Sequence, residues 1–503
     1  MERQSTSGCR RRDATRTRLG RAGVLLALCV WPRAHPNGSL RAPEPTSSLA
    51  ATGRSDTLRD PPVLRNLSRT PRTVEVNLTA SPVQLALRPG SPTEAYAYNG
   101  SVPGPTLEVH EGDRVIIHFR NELPEPTTIH WHGLHIPAAM DGSPLTPVAA
   151  GARFDYVFTV RRGTAGTYWY HPHPDVRSGY QIAKGLFGAF IVRANDDPLR
   201  MIPEKLLILS DNRFNADGSV QFADPRSVEG IRDEVNGREG DVLFVNGQLA
   251  PSIRIRSGQV QRWRVINVTA ARLFRLGLVG HTLLHVGNDG GLFERPVEVS
   301  RIDVANSERV ELLVRGTGSP GDRAALQMLP YDRYVPQTRP HDWDIARDLL
   351  TLTYTMAPRT TTPPVPALLR RVPALDTSAV SATRVLVLSQ GLINGQMMDM
   401  ARIDVHSTLG ATEIWQIENV VGMDHPFHLH GFEFQVLDRN GAPEPFRSWK
   451  DVVNVPKHET VRIIVRFDDF PGLWMYHCHI LDHEDHGMMG VLEVGPPSPR
   501  ART

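Results

Sequence analysis

The stretch "YNGSVPGPTLEVHEGDRVIIHFRNEL", Tyr98 to Leu123, returns twice in altered form: as "VNGQLAPSIRIRSGQVQRWRVINVT" from Val245 and as "INGQMMDMARIDVHSTLGATEIWQIENV" from Ile393. The Asn-Gly pairs begin at Asn99, Asn246 and Asn394, so the spacings are 246 − 99 = 147 and 394 − 246 = 148. So regular a period marks three copies of one domain. Within the copies, runs such as "DRVIIHF", "VQRWRVINV" and "TVRIIVRF" alternate apolar with polar residues, as half-buried strands do, and Gly, Pro and Asp turns separate them. The fold class is therefore all-β. Three antiparallel β-sandwich or barrel domains are expected over residues 71–197, 198–357 and 375–497. Residues 358–374, in "APRTTTPPVPALLRRVPALD", form a linker before the last, and long helices should be few.

Composition agrees. At 503 residues the chain is long enough for about three domains of ~150 residues, each with its own core. It is 40% hydrophobic and 22% charged, with 41 glycines and 41 prolines to supply turns. A formal charge of +2, spread without blocks of one sign, argues against a nucleic-acid partner.

Residues 1–70 read as an export signal and linker, rich in Arg, Pro, Ser and Thr. The basic run "CRRRDATRTRLGR" precedes the apolar Ala22–Val30, which is too short to span a bilayer. That pattern implies a periplasmic or secreted protein with no integral membrane segment. Arg10, Arg11 and Arg12 would admit a twin-arginine route. Cys9 and Cys29 fall in this leader, so the mature chain keeps Cys478 alone and forms no internal disulfide.

That thiol sits in "HCHILDHEDHGMMG", His477 to Gly490, among side chains that hold transition metals. Four His-x-His pairs occur, at His130/His132, His171/His173, His428/His430 and His477/His479. In a strand, residues i and i+2 share one face about 6.6 Å apart, which suits two adjacent metal ions better than one. Two pairs from the first domain and two from the third would bring eight imidazoles together where those domains meet. Cys478, between His477 and His479, would face the other way while staying covalently joined to both. His425, His483 and Met488 can complete a site of two imidazoles, one thiolate and a weak thioether, a ligand set that selects copper. Zinc has no use for three ions with open positions and a thiolate tied to them.

On these motifs the chain resembles the three-domain multicopper oxidases, such as the bacterial copper-efflux oxidase and the spore-coat laccase, over about residues 70–497. The resemblance implies cupredoxin-like Greek-key domains and four copper ions. It makes His425, Cys478, His483 and axial Met488 the type 1 ligands, and His130 and His428 the type 2 ligands. His132, His171, His173, His430, His477 and His479 become the ligands of the type 3 pair. The middle domain has no copper motif. Asp141, in "MDGSP", and Glu484, in "HEDH", fall where the resembling enzymes keep carboxylates beside the cluster, for protons that dioxygen reduction consumes. The bland alternatives are an Asp-Gly turn and a solvated acid.

The implied activity is one-electron oxidation of a small reductant at the type 1 copper, coupled to reduction of dioxygen to water, in a chain expected to be a monomer. Phenols or aromatic amines are the expected reductants, because the linker lacks the methionine-rich insertion of the copper-efflux oxidase. Cuprous ion, for copper tolerance, is the alternative. A copper nitrite reductase usually has two domains, and a copper-free scaffold like the cell-division relatives would lack ligands. Met397, Met398 and Met400 read as packing, His281 and His285 as structural, and His135 and His486 as neighbours of true motifs. Asn77 and Asn267 match the N-glycosylation pattern, which carries no weight without a known host.

Overall fold

The computed structural model describes residues 57–333 and 345–496. The basic run, Ala22–Val30, Cys9 and Cys29 lie outside the described residues.

The three repeats share more than a period. Asn99, Asn246 and Asn394 take φ of 50°, 52° and 53°, and the glycines that follow take 78°, 70° and 72°. Two successive residues at positive φ make the hairpin turn that suits twisted strands, and Asn-Gly adopts it at least cost. Each asparagine oxygen then accepts the N–H of a neighbouring strand: Thr79 at 2.8 Å, Ile208 at 2.7 Å and Val387 at 2.7 Å. A second asparagine closes each repeat. Asn121 Nδ2 donates to Val148 O at 3.0 Å, Asn267 Nδ2 to Val304 O at 2.9 Å and Asn419 Nδ2 to Val455 O at 2.9 Å. Their Oδ1 atoms accept from Leu123, Thr269 and Val421, two residues on. Four residues before each closing asparagine stand Ile117, Trp263 and Trp415, all fully buried. Each tryptophan removes roughly 200 Å² from water, an upper figure of about 5 kcal/mol.

Six sheets result, paired into three sandwiches drawn from residues 73–193, 204–354 and 380–495. They are mixed, where alternation alone suggested antiparallel sandwiches. In each copy the strand that ends at the closing asparagine lies parallel to the strand that opens the sandwich: Arg114–Asn121 on Thr73–Leu85, Val260–Asn267 on Glu204–Asn212, and Thr412–Asn419 on Val380–Ser389. Two strands intervene: the first pairs antiparallel in the same sheet and leads into the Asn-Gly turn, and the second lies in the opposite sheet, so the chain re-enters running in its original direction. The helices are short: α1 is Ser178–Ala183, α2 is Val228–Asn236 and α3 is Leu481–Asp485.

Where it is described, the stretch before residue 70 is tied down. Leu58 N donates to Ser252 O at 2.8 Å and its side chain is buried in the second sandwich, while Leu64 N donates to Thr106 O at 2.8 Å in the first. An irregular composition conceals this, because the bonds are made by the backbone.

The asparagine clamps yield a test. Asn267→Ala strands two carbonyls and one N–H in a fully buried position. We expect it to cost about 2–4 kcal/mol in denaturant unfolding, whereas the exposed Asn195→Ala should cost under about 1 kcal/mol.

Candidate metal centre

Strand register gathers the histidines. His130–His132 pairs antiparallel with Gly166–His171, setting His130 opposite His171. His425–Leu429 pairs with Gly472–Cys478, setting His428 opposite His477 and Phe427 opposite Cys478. Because faces alternate, the imidazoles of His428 and His477 point one way and the Cys478 sulfur the other, into the third core beside Met488. All twelve ligands expected from the sequence are buried, none more than 2% exposed.

The sulfur side is compact. His425 Nδ1 lies 3.3 Å and His483 Nδ1 3.7 Å from Cys478 Sγ. Burial pushes the thiol up to about 12, so a bound cation is what would hold it as thiolate. His483 and Glu484 are consecutive on α3, about 100° apart around its axis. His483 Nε2 donates to Val235 O of α2 at 3.0 Å, whereas Glu484 faces the other cluster, 3.4 Å from His173 Nδ1 and 3.3 Å from His477 Nδ1.

Seven of the eight imidazoles fall into three groups of converging nitrogens: His130, His428 and His430; His130, His132 and His171; and His173, His430 and His477. His479 joins them through ring contacts with His132, His171 and His477. Most of their outer nitrogens are hydrogen-bonded, although His173 Nδ1 has no hydrogen-bond partner among the described residues. Nδ1 of His130 donates to Asp141 O at 2.9 Å, of His428 to Asp451 O at 2.8 Å, of His171 to Pro172 O at 2.9 Å, and of His477 to Cys478 O at 3.1 Å. His430 Nδ1 donates to the Asp141 carboxylate at 2.7 Å. A carbonyl only accepts, so these Nδ1 atoms carry the protons and the Nε2 atoms present lone pairs. Yet His130 Nε2 faces His428 Nε2 at 3.4 Å, and His430 Nε2 faces His477 Nε2 at 3.0 Å.

Protonation does not relieve that confrontation. Burial drives His132, His171, His173, His428, His430 and His479 well below the ordinary imidazole range, and His477 to about 3. Cations between the rings relieve it, so the donor set fits metal ions, with most rings oriented through the far nitrogen. Asp141 Oδ1 and both Glu484 oxygens are buried without a hydrogen-bond partner among the described residues. Burial pushes Glu484 well above the usual carboxylate range.

Several residues at this centre escaped the sequence reading. Asp451 Oδ1 accepts from His132 Nε2 at 3.0 Å, and Arg309 and Ser307 of the middle sandwich reach Asp451 and His479. The middle domain carries no metal-ligand motif, and Asp451 stands at no metal-ligand spacing. Residues set aside stay apart: His281 bonds Val279 O and the Tyr354 hydroxyl, and His285 packs on Phe293 and Phe446. His135 Nδ1 donates to Gly431 O, and His486 Nδ1 to Asp482 O.

Multicopper oxidase family models match residues 79–197, 169–323 and 361–498. The chain is 31% identical to a multicopper oxidase of Staphylococcus haemolyticus, over 79% of this chain and 83% of that one. It is 30% identical to the cell division protein FtsP of Escherichia coli, over 89% and 94%. Among solved structures, a multicopper oxidase of Campylobacter jejuni described as a metallo-oxidase superposes with a TM-score of 0.79 at 33% identity, covering 88% of this chain and 96% of that one.

Removing the thiolate should cost one metal and spare the rest. Cys478→Ser is expected to bind one equivalent of copper fewer than wild type, by elemental analysis, and to lose the visible thiolate absorption; unchanged copper content would exclude Cys478 as a ligand.

Proposed function

The chain belongs to the multicopper oxidase family and is a copper-dependent oxidoreductase with dioxygen as acceptor; from that premise we propose that Cys478 joins a type 1 site to a trinuclear one. In this reading His425, Cys478, His483 and Met488 hold the type 1 copper. His130 and His428 hold the type 2 ion, and His132, His171, His173, His430, His477 and His479 the type 3 pair. The trinuclear site then lies between the domains proposed at residues 71–197 and 375–497, with 198–357 as the domain without ligands.

The observation that carries this reading is the placement of Cys478. Its sulfur meets two imidazoles on one side of the strand, and its backbone continues directly into His477 and His479 on the other. Copper bound there supplies the one-electron redox chemistry by which four electrons, four protons and dioxygen become two waters. The protein supplies geometry and protons. Asp141 grips His430 through its carboxylate and His130 through its carbonyl, with one oxygen left over. Glu484 stands between His173 and His477. Buried acceptors without partners are costly, which supports their use as proton carriers. The basic and apolar N-terminal run supports export to the periplasm or beyond. Among the described residues no helix is long and apolar enough to cross a membrane.

Two donors are in view, phenols and cuprous ion, and one observation favours the metal. Met398 N donates to Gly487 O at 2.8 Å, next to Met488, and on the same short stretch Met397 and Met400 are 56% and 47% exposed. Thioethers are ligands for soft cuprous ion. His425, by contrast, is fully buried, and Asp424 before it is bonded by the Tyr331 hydroxyl at 2.5 Å. That cover hinders an aromatic ring more than an ion. The likeness to a metallo-oxidase points the same way.

Oxygen uptake separates these readings. Met397→Ser with Met400→Ser should lower kcat/KM for cuprous ion about tenfold and leave a phenol unaffected; equal losses on both donors would remove the methionine site. Asp141→Asn and Glu484→Gln should keep the visible absorption of the thiolate site while turnover falls by about 10²-fold or more; full turnover in both would end the proton-carrier role.

A further inference from the structure

Among the described residues the middle sandwich adds no side chain to the clusters of potential metal donors, yet one of its loops and the strand after it orient three of the imidazoles. The loop runs from the strand Ile302–Val304 to the strand Arg309–Arg315. Asn306 Nδ2 donates to His479 O, and Ser307 Oγ lies 2.7 Å from His479 Nδ1. Arg309 donates to both carboxylate oxygens of Asp451, at 2.6 Å to Oδ1. Asp451 in turn accepts from His132 Nε2 through Oδ1 at 3.0 Å and from His428 Nδ1 through its backbone oxygen at 2.8 Å.

His132 shows what this accomplishes. His130, His171, His428, His430 and His477 all turn Nε2 inward, because Nδ1 is spent on an acceptor. His132 spends Nε2 on Asp451 instead and turns Nδ1 inward, 3.4 Å from His171 Nε2. The choice of nitrogen therefore depends on where the Asp451 carboxylate is held. It is held by a planar guanidinium, which grips two oxygens at once; an ammonium cannot do that.

The loop itself is fixed. Ser307 sits at φ 73°, a backbone state that a residue with a side chain adopts only when its surroundings enforce it. Ser307 N donates to Asn267 O at 2.8 Å, and Asn267 N to Glu308 O at 3.2 Å. Arg309 N donates to Asp289 Oδ1 at 2.8 Å, its Nε to Thr167 O of the first sandwich at 3.0 Å, and both Arg309 and Asp451 are fully buried.

We infer that Arg309 and Ser307 are positioning residues of the trinuclear site: Arg309 holds Asp451 where it sets the ring nitrogen that His132 presents, and Ser307 sets the ring of His479. This rests on the reading that these histidines hold copper.

Full-length, copper-loaded Arg309→Lys and Ser307→Ala test it against wild type through copper content, the paramagnetic resonance of the type 2 ion, thiolate absorption, thermal unfolding and turnover. Each variant should keep its thiolate absorption, show an altered type 2 resonance or lose cluster copper, and turn over about 10- to 100-fold more slowly. Wild-type resonance and copper content in both would overturn the inference, even with a lower melting temperature, since a merely structural residue changes only the latter. Should Arg309→Lys fail to fold, Ser307→Ala decides by the same criteria. A wild-type protein without a type 2 signal would instead sink the underlying ligand assignment.

Discussion

Neutral imidazoles set nitrogen to nitrogen, with their protons committed to acceptors behind them, repel one another. His130 with His428 and His430 with His477 are in that position at 3.4 and 3.0 Å. Two β-sandwiches closing on such a cluster bury an array that is unfavourable by itself and favourable around cations. Hydrophobic cores on either side hold the rings close. Acceptors behind His130, His171, His428, His430 and His477 keep those lone pairs aimed inward, so the cluster favours positive charge between its rings.

Much of this was legible in the sequence. The Asn-Gly period implied three copies, and the copies prove alike down to the backbone angles of Asn99, Asn246 and Asn394. His-x-His spacing and strand alternation implied that Cys478 would turn its back on His477 and His479, as it does. Direction of strand pairing was not legible, because alternation reports which face is buried and nothing about which neighbour supplies the hydrogen bonds. Nor were Arg309, Ser307 and Asp451. Ligand motifs have spacings dictated by a metal, but an outer partner needs only to arrive in space, and Asp451 lies 319 residues from His132.

The middle sandwich thus has a part despite its missing motif. It reaches the thiolate side through Val235 and the imidazole side through Ser307 and Arg309. In both places, among the described residues, it supplies groups that hold the clustered side chains in place and adds none to the clusters. Arg309 is bonded to all three sandwiches at once: its own, Thr167 of the first and Asp451 of the third.

The thiol pocket and the imidazole cluster also differ in how much of the chain must be folded before they exist. Cys478 is 5 residues from His483 and 53 from His425, so the thiolate pocket draws its donors from one sandwich. In the imidazole cluster, His130 meets His428 across 298 residues and His173 meets His477 across 304. Closing a short loop costs a chain less entropy than closing one of hundreds of residues, and contacts that distant form late. The donors of the thiolate pocket can therefore assemble on a third sandwich folded alone, while the larger cluster comes into being only when the first and last thirds of the chain have met. Order of assembly is built into where the ligands sit along the polypeptide.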